Sequence, residues 1–153
     1  MVHIADEIVI HRPIEDVFDF VADERNEPRY NPRMVRAVQV STGPIGMGTR
    51  FEAETRSRGR SVALTIEYTA YERPRRLTSK THLANMEIEG TLTFDPIPAG
   101  TRMQWSWDIQ PRGAFRLITP LLARIGERQE KTIWTGLKQL LEAQTPPSAG
   151  VPA

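Results

Sequence analysis

The sequence predicts an α+β domain: a seven-stranded antiparallel sheet wrapped around a long C-terminal helix, with two short helices between the first two strands. Three observations carry this reading. Near the N-terminus a strand-like run breaks at a proline into a short amphipathic stretch. From Met34 to Gln110 apolar and polar residues alternate with period two between turn signals. From Thr119 to about residue 143 apolar residues recur at helical spacing.

"HIADEIVIH" (3–11) is rich in β-branched residues and alternates loosely, which suits the first strand. Pro13 ends it and fits the first helical position, where a missing N–H costs nothing; Glu15 and Asp16 then place negative charge at the helix N-terminus. Ile14, Val17, Phe18 and Val21 give this helix one apolar face. Asp23 caps a second helical piece, "ERNE", before Pro28 and Pro32 stop it.

Six further strands follow: 34–42, 49–57, 61–71, 77–83, the run carrying Met86 to Phe94, and 102–110, separated by "GPIGMG", Gly59, "RPRR" and the Pro96/Pro98/Gly100 cluster. Val62, Leu64, Ile66, Tyr68 and Ala70 share one face; Ser61, Thr65, Glu67 and Thr69 share the other. One wet face, one apolar face and short turns mean an antiparallel sheet whose apolar side needs a cover. "TPLLARIGERQEKTIWTGLKQLLEA" supplies it, with Thr119 as N-cap, Pro120 as first helical residue and a length of about 36 Å. Leu122, Ile125, Ile133, Leu137 and Leu140 form its apolar face, and Gln129 and Gly136 fall within that stripe. They have two readings. Either they mark a hollow between helix and sheet, or Gln129 reaches the helix edge and Gly136 admits close packing, for instance against Trp105 or Trp107.

Composition narrows the function classes. The 153 residues make one domain, 1–144, with "TPPSAGVPA" (145–153) read as a flexible tail. No apolar run approaches the roughly 18 residues of a membrane span, so membrane insertion is not expected; no signal-peptide pattern precedes the first strand, so a cytoplasmic location is. Absence of cysteine removes disulfides, thiolate metal sites and thiol nucleophiles. A net charge of +1 gives no global field for nucleic acid, and no nucleic-acid partner is expected. Two arginine clusters, "RSRGR" (56–60) and "RPRR" (73–76), read as solvated turns at opposite ends of the sheet, with phosphate contact as the alternative. Neither HExxH nor a phosphate loop nor a GxSxG elbow is present, and no metal or cofactor is expected.

The order strand, two short helices, six-stranded meander and long helix resembles the START and birch-pollen-allergen-like superfamily, SRPBCC, and within it the polyketide cyclase/dehydrase-like group of small bacterial proteins. "IVIHRPIEDVFDFVAD" (8–23) carries the resemblance, with "EPRYNPRM" (27–34), "GMGTRFE" (46–52), "YERPRRLTSK" (71–80) and "LKQLLE" (137–142) in support. It covers about 2–143. It implies a helix-grip architecture enclosing a pocket for a hydrophobic or amphipathic small molecule, bound and in some relatives transferred. The group includes polyketide aromatase/cyclases, so a cyclase or dehydratase acting on a carbonyl-rich substrate is the alternative, and a protein-interaction module with a collapsed cavity a third. Oligomeric state is left open.

Inward-aimed positions give the expected ligand-binding residues: Tyr30, Phe51, Thr55, Tyr68, Ser79, Thr81, Met86, Ile88, Trp105, Trp107, Gln129 and Ile133. Each apolar member has core packing as its alternative. Tyr68 offers the best single donor, its phenol. No base is evident for a cyclase. His3 and His11 lie near the ends of the first strand and His82 faces water, while Asp6 has two readings: an inward carboxylate with a raised pKa if the alternation is strict, or a residue at a frayed strand start.

Overall fold

A computed structural model describes residues 1–144, with the backbone alone for Phe115. The expected tail at 145–153 lies outside the described residues. Chain order is β1 (Val2–Ile10), α1 (Ile14–Ala22), a 3-10 segment (Glu24–Arg29), β2 (Met34–Gln39), β3 (Arg50–Ser57), β4 (Arg60–Glu72), β5 (Arg76–Leu83), β6 (Met86–Ile97), β7 (Gly100–Pro111), a second 3-10 segment (Gly113–Ile118) and α2 (Thr119–Ala143). The sheet runs β1-β7-β6-β5-β4-β3-β2, antiparallel throughout. The predicted fold class is the observed one. Register shifts in β2 (Met34/Arg36) and β4 (Tyr68/Ala70) interrupt the alternation, so Ala70 leaves the inner face and Tyr71, paired with Leu77, takes its place.

Two helix starts differ from expectation. Pro13 precedes α1 with extended backbone, and its carbonyl accepts from Val17 N at 3.1 Å. Thr119 does not cap α2: its hydroxyl donates to the Arg116 carbonyl at 2.8 Å, because the 3-10 segment already enters the helix from behind. Asp23 caps as read, Oδ1 accepting from Arg25 N at 3.1 Å.

The strand-to-helix corner anchors the far end of α2. Arg12 donates to the carbonyls of Leu141 and Gln144 at 2.7 and 2.9 Å, a cation on the negative end of the helix dipole. Lys138 Nζ donates to the Val9 carbonyl at 2.8 Å, and His11 N to Glu142 Oε2 at 2.9 Å. These contacts hold α2 along β1. Beneath α1 the inner face is solid: Phe18 meets Tyr71 and Phe94 edge-on at 5.2 and 5.1 Å, with Leu77, Leu92, Met103 and Leu137 buried around them.

The other half of the inner face is more open. Antiparallel order puts the β3–β4 turn, the β5–β6 turn, the end of β7 and the start of α2 at one end of the sheet. There the inward residues Thr55, Val62, Thr81, Leu83, Met86, Ile88, Trp107 and Ile109 keep partial solvent access, unlike the buried residues beneath α1.

Candidate ligand-binding site

The expected site residues divide by depth. Phe51, Tyr68, Trp105 and Tyr30 are buried, while Thr55, Ser79, Thr81, Met86, Ile88, Trp107, Gln129 and Ile133 are half-buried. Strand pairing places Tyr68 opposite Ser79, Thr81 opposite Ile88, and Trp107 opposite Gly90 on the same concave face. Gly90 is required there: a β-carbon on it would stand 1.5 Å from Trp107 Cε3, so the indole lies flat over bare backbone. Thr55 donates across the pair to the Val62 carbonyl at 3.5 Å.

Tyr30 and Gln129 close the side between α2 and the segment before β2. Tyr30 stacks at 6.0 Å against Trp134, which in turn lies 5.9 Å from Trp105. The Gln129 amide, oriented with its oxygen toward Arg33, accepts from Nη1 and Nη2 at 3.0 and 3.3 Å. Gly136 marks no hollow, and its contact is not with Trp105 or Trp107: a β-carbon there would stand 2.6 Å from the Tyr30 carbonyl oxygen, so the glycine lets α2 close on that backbone.

The sequence reading missed three carboxylates. Glu24 and Glu27, from the 3-10 segment, and Glu130, from α2, meet near Tyr30 and Tyr68. Burial pushes the Glu24 carboxyl well above the usual range, and the neighbouring charge of Glu27 adds to it. Glu27 Oε1 accepts from Asn31 Nδ2 at 2.8 Å. Burial likewise pushes Glu130 up to about 7, against the restraining indole N–H groups of Trp107 and Trp134. Trp134 Nε1 donates to Glu130 Oε2 at 2.8 Å; Trp107 Nε1 lies close by without completing a hydrogen bond. Trp105 Nε1 is also buried without a partner. Two unspent donors and a carboxyl group titrating near neutrality therefore share one apolar interior. A signal for Glu130 existed: it sits one turn before Trp134, which with Leu137 and Leu141 forms the buried face of α2. Glu24 and Glu27 carried none, since acids at a helix start read as dipole partners.

The Tyr68 phenol, read as the best single donor, is engaged within the fold. Its single proton goes to the Ala22 carbonyl at 2.6 Å, and Glu24 Oε1 lies 3.2 Å from the same oxygen. Burial and the Glu24 charge raise its pKa well above the ordinary phenol value. Asp6 also departs from expectation. It faces α2 from the edge strand but is exposed; its pKa is lowered by the Glu7 backbone N–H and by Lys131, whose Nζ is 3.0 Å away. The three histidines are exposed, each beside a carboxylate: His3 with Asp108, His11 with Glu142, His82 with Glu87. Among the described residues no three His, Asp or Glu side chains form a metal-holding group.

A seven-stranded antiparallel sheet gripping a long C-terminal helix is the helix-grip fold of START and Bet v 1-like structures. The chain belongs to the family described as polyketide cyclase/dehydrase and lipid transport, whose model matches residues 1–142. Among solved structures, a START superfamily protein from Mycobacterium smegmatis is 11% identical with a TM-score of 0.81, over 94% of this chain and 99% of that one. The ZhuI aromatase/cyclase from Streptomyces sp. R1128 is 14% identical with a TM-score of 0.80, over 97% and 98%. Ara h 8.0201 is 12% identical with a TM-score of 0.75, over 93% and 98%. At such identities the likeness is one of fold. No curated protein matches the chain by sequence.

Proposed function

We propose that the protein binds, and passes on, a hydrophobic or amphipathic small molecule held between the sheet and α2, entering at the end where the inner face is open. The observation that carries this reading is the change in depth along that face: solid beneath α1, partly accessible from Trp107 to Met86, with the Trp105 and Trp107 donors unspent between. A ligand of apolar body with one or two acceptor oxygens fits that chemistry. The test is native mass spectrometry of the purified protein, followed by organic extraction. The expected result is a co-purified apolar molecule, or saturable binding of an apolar dye. A bare protein that binds no dye overturns the reading.

Glu130, a buried carboxyl sharing the interior with the unspent indole donors of Trp105 and Trp107, favours a second reading, the cyclase or dehydratase. In it Glu130, half ionised near pH 7, removes a proton from the carbon beside a carbonyl. The C–H electron pair becomes a carbon–carbon double bond, the carbonyl π pair moves onto the oxygen, and an indole N–H of Trp105 or Trp107 donates to the resulting enolate oxygen. Deuterium uptake by a 1,3-diketone in D₂O tests this: catalysed uptake that is lost in Glu130→Gln supports it, and uptake no faster than in buffer overturns it.

A further inference from the structure

The end of the sheet that carries the open inner face also carries charge and exposed apolar side chains of one pattern. From Ile109 to Gly126 the chain holds Arg112, Arg116 and Arg124 and no acid. In the same stretch Leu117 is 86% exposed, Leu121 54% and Ile118 40%. Leu117 and Ile118 end the segment Gly113–Ile118 that joins β7 to α2, and Leu121 lies in the first turn of α2. Beside them lies a depression of about 430 Å³ lined by Arg112, Arg116, Thr119 and Met1. Arg112 shares its guanidinium with Glu87 at 3.1 Å, and Glu127 is the next acid along α2. Arg116 makes no ion pair among the described residues.

Strand order adds a second basic group. The turn between β3 and β4, with exposed Arg56, Arg58 and Arg60, lies at the same end of the sheet as the β5–β6 turn, to which Arg112 N is tied through the Asn85 carbonyl at 2.8 Å. The other arginine cluster lies at the opposite end, where Arg73 is spent on Asp19 through two bonds of 2.7 Å. Arginines therefore stand on both sides of the open end, with protruding leucines on one of them.

We propose that this end docks on an anionic phospholipid membrane, with Leu117 and Leu121 entering the acyl boundary and the arginines meeting lipid phosphates. Charge complementarity selects this occupant. A second copy of the chain would bring arginines against arginines, whereas an anionic bilayer supplies both the negative surface and the apolar layer beneath it. The inference deepens the ligand-binding reading by naming the source of the ligand.

The experiment is co-sedimentation of the full chain with vesicles of phosphatidylcholine alone, and of phosphatidylcholine with 30% phosphatidylglycerol, at low and high salt. Solution binding of an apolar dye is measured on the same samples. Binding is expected to the anionic vesicles, to weaken with salt, and to fall about fivefold for each of Arg116→Ala and Arg58→Ala. Leu117→Glu with Leu121→Glu is expected to abolish it while dye binding in solution is retained; both positions are exposed, so folding is spared. Equal binding to both vesicles, or unchanged binding in the double leucine variant, overturns the proposal, as does a concentration-dependent dimer that the same variant dissolves. Dye binding without vesicle binding overturns docking alone; loss of both in the wild-type chain overturns the ligand-binding reading too.

Discussion

Glu130 accepts a hydrogen bond from Trp134 one turn further along α2, Nε1 to Oε2 at 2.8 Å, inside a space that burial keeps hostile to its charge. The folded protein therefore holds the Glu130 proton up to about pH 7, whereas the unfolded chain releases it near 4.5. Between those values the folded state binds more protons, so stability falls as pH rises through that window and is level above it. The loss is about 3 kcal/mol. Glu130→Gln keeps the Trp134 bond without the charge. It should be more stable than wild type in urea at pH 8, with the difference gone below pH 4.5; an equal gap at both pH values would mean that Glu130 is not the group responsible.

Gly136 and the Tyr30 carbonyl set how closely α2 approaches the segment before β2. Alanine at 136 gains about 1 kcal/mol of helix propensity, but its methyl meets a backbone oxygen at 2.6 Å, an overpacking cost of about 1–3 kcal/mol. The variant should be destabilised and should shift the fluorescence of Trp134, which stacks on Tyr30. A raised melting temperature would show that the helix has room to move.

Tyr68→Phe leaves the Ala22 carbonyl buried with no donor where α1 ends. The expected cost is about 1–3 kcal/mol in chemical unfolding, larger than the ring's unchanged packing would suggest. A neutral result would mean that water reaches the carbonyl.

Gly90→Ala cannot keep the Trp107 ring where it is, since the new methyl would overlap it at 1.5 Å. Near-ultraviolet circular dichroism should change. Apolar-dye affinity should drop severalfold if Trp107 lines the binding space, and unchanged affinity would remove Trp107 from the site.

The order of elements, the antiparallel meander, the apolar face of each strand and the helix that covers them were legible in the sequence. Period and turn chemistry are local properties, and each residue of a strand reports its own face. The list of inward residues on β3 to β7 followed from the same rule, until the β4 register shift exchanged Ala70 for Tyr71. The buried face of α2 was harder to read, because only the docking of its C-terminal end on Arg12, Val9 and His11 sets its rotation, bringing Trp134 and Leu141 in and leaving Ile125 exposed.

Composition and periodicity alone determined that this chain would form one curved sheet with an apolar side in need of a helix. Tertiary structure decided which polar groups share the interior. Glu24, Glu27 and Glu130 are brought together from two segments about a hundred positions apart, and the raised pKa values of Glu24 and Glu130 come from burial and from the charge of Glu27 beside them, which depend on distance through space. Tyr68, read as the best single donor, is committed to Ala22 for the same reason: a hydrogen bond belongs to the pair that folding places within reach.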